Sequence, residues 1–260
     1  MTKKAKIRTA TASRLPLSRE SLITGEVPNG GAPDREAFFG GFSKCSDWTV
    51  WQLIDSSFPT GGFAHSSGLE AAWQHGEVRG RDALVSFIEA ALDQLGHASL
   101  PFVLATFDQP ESLVEHDKLC DVFTVNHVAN RASRAQGRAM LTAVKRIFKT
   151  ENGQWNKGEP HYAHFAPVFG VCLQHLRISR ARTGHMFVFN QLRSTLAAAV
   201  RLNIVGPMEA QILLHRLFPA AEKIVVECEQ LTLDEIAQTA PLLDLWQGAQ
   251  DRLYSRLFQS

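Results

Sequence analysis

The chain has 260 residues, 45% of them hydrophobic, which is enough apolar mass for a sizeable core without staples. Lys and Arg number 27 against 26 Asp and Glu, a net charge of +1, so no global field draws the protein to nucleic acid or to an anionic membrane surface. The four cysteines (Cys45, Cys120, Cys172, Cys228) are scattered without a CxxC, which fits reduced thiols in the cytoplasm better than a disulfide scaffold.

Residues 1–43 are polar and broken by glycine and proline, and are expected to form a flexible arm. Lys3, Lys4, Lys6, Arg8, Arg14 and Arg19 precede the first acid, Glu20, as in an organellar transit peptide, but apolar residues are too sparse there for a convincing amphipathic helix. Cytoplasmic location is the expectation, with organellar targeting left open. The arm lacks the apolar core of a secretory signal, and no apolar run in the chain reaches the ~20 residues that span a bilayer.

From residue 44 onward apolar spacing is helical. A helix carrying Trp48, Trp51 and Ile54 must end before Pro59. Leu84, Phe87, Ile88, Ala91, Leu92 and Leu95 form one stripe and predict a helix over 82–97. Ser112 suits the cap of a helix whose apolar side chains are Leu113, Leu119, Val122 and Phe123. The stretch 129–148 places Met140, Leu141, Val144, Ile147 and Phe148 on one face with basic residues opposite. Residues 150–160, with Asn152-Gly153 and Gly158, read as a polar loop. Further helices are expected at 168–176, 186–202 and 208–218, with Gly206 tolerating a left-handed cap and Pro207 opening the next helix. Lys223 to Glu227 resembles a short strand, but with no partner of similar character it reads as helix. The sum is an all-α, compact multi-helix domain over 44–260.

Locally readable catalytic motifs are missing: no GxxxxGK[ST], GxGxxG, GxSxG or HExxH occurs. His161, His164, Cys172 and His175 would line one side of a helix if Pro167 did not interrupt it, and His116 with Cys120 has i, i+4 spacing; both sets are weak metal candidates beside an ordinary core or surface role. Arg131, Arg134, Arg138, Lys145, Arg146 and Lys149 fit a solvated helix face, and less readily an acidic protein partner.

The segment Asp55 to Glu70 combines Pro59, Gly61 and Gly62 with a helix restart for which Ser66 or Ser67 is a plausible cap and Glu70 suits the first turn. Phe63 and His65 then sit in a turn between two helices. Residues alone allow both a structural corner and an exposed recognition loop.

The run FPTGGFAHSSGLEAAWQHGEV resembles the N-terminal signature of the urease accessory protein UreF family. NRASRAQGRAML at 130–141, AAAVRLNIVGPMEAQ at 197–211 and LYSRLFQS at 253–260 agree with it, so the resemblance runs from about Trp48 to Ser260. It implies an all-α fold of about ten helices, a homodimer, and no catalytic activity or cofactor in this chain. The implied role is an adaptor that binds the scaffold accessory protein UreH (UreD in many systems) and recruits the GTPase UreG for GTP-dependent nickel delivery to the urease apoprotein. Nickel and GTP would belong to the complex. By the same resemblance, Phe63 supports a flexible C-terminal tail, His65 keeps the motif histidine, and Tyr254, Ser255, Arg256, Leu257 and Phe258 contact partners. Family members commonly carry His-Glu just before the tail block, where this chain has Gln250-Asp251, so no titrating or metal-binding histidine is transferred there. Two other readings compete: a nickel metallochaperone using His161, His164, Cys172 or His175, and an enzyme with His65 as acid or base.

Overall fold

The computed structural model describes residues 46–148 and 159–260. The arm expected at 1–43, Cys45, Lys149 and most of the 150–160 loop lie outside the described residues. Within them the regular structure is helical, with no β-strand.

Helix α1 (Asp47–Ile54) starts on Ser46, whose hydroxyl accepts from the Trp48 N–H, and ends before Pro59 as the sequence requires. After the turn at 55–68 come α2 (Leu69–Gln74), α3 (Gly80–Ala98) and α4 (Leu100–Asp108). They are followed by α5 (Leu113–Phe123), α6 (His127–Ile147) and α7 (Phe165–His175), and the chain continues through α8 (Arg180–Arg201), α9 (Pro207–Arg216), α10 (Phe218–Cys228) and α11 (Pro241–Ala249). The KIVVE segment is helical, inside α10. At the Gly206-Pro207 corner Pro207 opens α9, but Gly206 has φ −76°; the left-handed residue is Asn203, φ 58°, three positions earlier.

The core forms where α4 and α7 cross, with α6 and α8 beside them. That crossing is close because Gly170 has no side chain; a Cβ there would strike the Val103 carbonyl, 3.0 Å from its carbon. Phe169 and Phe187 meet at 5.4 Å between centroids, with Phe165 5.5 Å from Phe169. The α3 stripe is buried at Leu84, Phe87, Ile88 and Leu92 as its spacing predicts.

Two helices bury a different face from the one expected. In α5 the buried residues are Leu113, His116, Asp117 and Cys120, while Leu119 and Val122 are exposed. The reason is Asp117: its carboxylate, fully buried, accepts the backbone N–H groups of Tyr162, Ala163 and His164 at 2.7, 3.1 and 2.8 Å. Backbone donors of a buried turn must be satisfied, and that requirement outweighs exposure of two apolar side chains. In α6 Met140 and Val144 are buried, but Ile147 is exposed at the helix end, and Val128, Ala132 and Gly137 join the inner face.

Candidate functional site

Asp55 to Glu70 turns twice. Asp55 accepts from the Ser57 N–H at 2.6 Å, an Asx turn that follows α1, and Gly61 takes φ 75°. A single 3-10 turn at Gly62–Ala64 follows. Ser67 and Gly68 then both adopt positive φ, 53° and 87°, to start α2, and a Cβ at Gly68 would lie 3.0 Å from the Gln247 amide nitrogen. Glycine at 68 therefore serves both the turn and the approach of α11. The Ser66 hydroxyl accepts the Glu70 N–H at 3.3 Å, so of the two serines proposed as caps it is Ser66 that supplies the oxygen.

The chain's last residues lie against this loop. Beyond Arg252 the segment has no regular secondary structure, and its backbone pairs with the loop: Gln259 N–H donates to the Ala64 carbonyl at 2.8 Å, and Ser66 N–H to the Ser260 carbonyl at 2.5 Å. Gln74 Nε2 holds the Ser255 carbonyl at 2.9 Å. His65 is buried, with Nδ1 2.7 Å from the Ser260 hydroxyl. Burial pushes the His65 imidazole below the ordinary histidine range, and the nearby Arg131 charge acts in the same direction. Phe258 is buried too, its ring under the Arg201 guanidinium at 4.1 Å. Two residues expected at a partner surface, His65 and Phe258, are thus internal anchors in this chain.

The remaining predicted residues face outward. Phe63 is 72% exposed, so it supports the tail through its carbonyl, which accepts from Arg201, rather than through its ring. Tyr254 is fully exposed and Ser255, Arg256 and Leu257 are exposed beside it. Arg256 bonds Asp251 at 3.1 Å, and Asp251 also takes a two-pronged contact from Arg131 and lies 3.3 Å from His127. The Arg131 hydrogen bond, above all, holds the Asp251 carboxyl below the usual carboxylate range. Gln250, where the family commonly has histidine, is fully buried and donates to the Glu70 carboxylate at 2.6 Å and to the Phe258 carbonyl at 3.2 Å. Sequence reasoning missed the roles of Glu70 and Arg201. The available signal was an arginine closing the otherwise apolar end of α8, but its partners lie 56 and 138 residues away in the chain.

The weak metal candidates do not assemble. Among the described residues no group of three or more His, Cys, Asp or Glu side chains is placed to hold a metal ion. His164 caps α7, with Nδ1 3.1 Å from the Ser133 hydroxyl and Nε2 3.0 Å from Asp121. Cys172 is buried in α7 with its thiol pushed up by desolvation, and His161 is exposed before the helix begins. His116 bonds the Thr106 hydroxyl at 2.9 Å, and burial pushes the Cys120 thiol up to about 12. The basic succession on α6 is partly engaged inside the chain: Arg131 with Asp251, Arg134 over the Tyr162 ring at 5.1 Å, Arg138 on the Tyr162 carbonyl and Lys145 on Glu159.

Fold and junction together define an all-α protein whose end segment is built into its own first loop, leaving a tyrosine, an arginine, a leucine and a phenylalanine outward. Residues 78–218 match the UreF family model. The chain is 37% identical over 226 residues to urease accessory protein F of Arabidopsis thaliana, covering 84% of this chain and 94% of that protein. It is 35% identical over 219 residues to urease accessory protein F of Oryza sativa subsp. japonica, covering 81% and 84%. Against an uncharacterized urease accessory protein UreF-like of Schizosaccharomyces pombe the identity is 30% over 225 residues. The chain belongs to the UreF family of urease accessory proteins.

Proposed function

We propose that this chain is a non-catalytic adaptor of urease maturation. It binds UreH (UreD) and recruits the GTPase UreG, so that GTP-dependent nickel delivery reaches the urease apoprotein. Nickel and GTP are handled by the partner complex, and the chain works in the cytoplasm as a homodimer.

The observation that carries this reading is the two-sided tail. Phe258 and Ser260 face inward, while Tyr254, Arg256 and Leu257 face solvent next to exposed Phe63. Aromatic and arginine side chains held by a rigid backbone are what the energetic centres of protein interfaces use, because little conformational freedom is lost on contact. Arg256 offers a planar fork for carboxylates, and its contact with Asp251 is exposed enough to exchange for a partner's acid at small cost.

Co-expression of the full chain with UreH and UreG, followed by pull-down on UreH, tests the proposal. A ternary complex that needs this chain for UreG retention is expected. UreG retained equally without it would contradict the adaptor role.

A further inference from the structure

Two opposed charges grip the same dipeptide of the tail. The Glu70 carboxylate, 1% exposed, accepts the Leu257 N–H on Oε1 at 2.7 Å and the Phe258 N–H on Oε2 at 3.1 Å, with Gln250 Nε2 also on Oε2 at 2.6 Å. From the end of α8 the Arg201 guanidinium donates to the Leu257 carbonyl at 3.2 Å and to the Phe63 carbonyl, and its plane covers the Phe258 ring. A carboxylate only accepts and a guanidinium only donates, so neither group alone satisfies both halves of the Leu257-Phe258 backbone. Together they fix it, and the alternation of an extended segment then turns Phe258 inward and Leu257 outward.

We infer that Glu70 and Arg201 are positioning residues: they set which tail side chains face outward, and loss of either releases residues 253–260 from the 61–70 loop while the helical body stays folded. The functional consequence rests on the tail being a partner surface, as proposed above; the clamp itself does not. A buried carboxylate is stable only when fully hydrogen-bonded, and here its strong donors come from Leu257, Phe258 and Gln250. Glu70→Gln keeps the size and shape but accepts through one oxygen, and turns an NH2 group toward an N–H donor. Arg201→Lys keeps the charge but loses the fork and the flat face.

Hydrogen exchange of the C-terminal peptides and limited trypsinolysis, which cuts after Arg252 and Arg256, read the clamp without a partner present. Glu70→Gln and Arg201→Lys are each expected to speed Leu257 and Phe258 amide exchange and tryptic release of the tail about tenfold or more, with α3 and α7 exchange unchanged. Leu257→Pro deletes the donor at an exposed site and keeps the test alive if Glu70→Gln misfolds; in the double variant the two effects should be clearly less than additive. Unchanged tail release in these variants overturns the inference, as does loss of protection throughout α3 and α7 in all of them. UreH capture by pull-down is the separate arm. Faster release with lost capture supports both ideas, whereas faster release with full capture supports the clamp and overturns the tail as a partner surface.

Discussion

Gly137 sits on the inner face of α6, where the 162–164 turn crosses it. In Gly137→Ala the new Cβ would fall inside the Ala163 carbonyl oxygen's radius and 2.8 Å from the His164 carbonyl carbon. One of the two backbones must retreat. The turn resists, because Ala163 is held at φ 59° by Asp117, whose carboxylate takes the N–H groups of 162, 163 and 164 at 2.7 to 3.1 Å. Retreat by an ångström or more stretches those bonds past useful length, at about 1.5–3 kcal/mol for each charge-assisted bond lost. Overpacking strain alone is about 1–3 kcal/mol. Against this, alanine gains about 1 kcal/mol of helix propensity over glycine. The clash wins, and a net loss of about 2–4 kcal/mol lowers the melting temperature by roughly 5–15 °C in a domain of this size. Gly184→Ala in α8 is the matched control: its Cβ meets the side chains of Leu100, Leu104 and Val225 at 3.7 to 3.9 Å, so it should raise stability by up to about 1 kcal/mol. Thermal and urea unfolding of the two variants should move in opposite directions, and an unchanged or stabilised Gly137→Ala would refute the argument.

Phe63→Ala, at a ring that is 72% exposed, should leave unfolding within about 0.5 kcal/mol of the parent but weaken UreH or UreG capture; the reverse pattern would make Phe63 a packing residue. His65, His116 and His164 are all pushed down by burial, so the unfolded chain binds more protons than the folded one just below the ordinary histidine value of about 6.5. Stability is therefore complete above that pH and falls as pH drops through 6, which urea midpoints between pH 5 and 8 will show; a flat profile contradicts neutral burial. Nickel calorimetry on the isolated chain should reveal no stoichiometric site that depends on His161, His164, Cys172 or His175, since His164 already bonds Ser133 and Asp121.

Helical periodicity was readable because it depends only on nearby residues, so α3, α6 and α8 stand where their spacing puts them. The orientation of α5 was not readable, since it follows from Asp117 meeting a turn 45 to 47 residues away. The site divides in the same manner. The turn at 61–68 announces itself through proline and glycine, and the tail block through its resemblance. Their union depends on Glu70 and Arg201, each of which looks like ordinary helix-end charge until the two ends of the chain meet. For the same reason the outward and inward halves of the tail, Tyr254, Arg256 and Leu257 against Phe258, could not be separated by spacing.

The central claim is that the outward tail side chains bind the urease-maturation partners. The direct measurement is UreH pull-down with the triple variant Tyr254→Ala, Arg256→Ala, Leu257→Ala, which keeps the buried Phe258 and its contacts with Glu70 and Arg201. Capture should fall at least about tenfold with helical circular dichroism and melting unchanged. Capture equal to that of the parent chain would contradict the account.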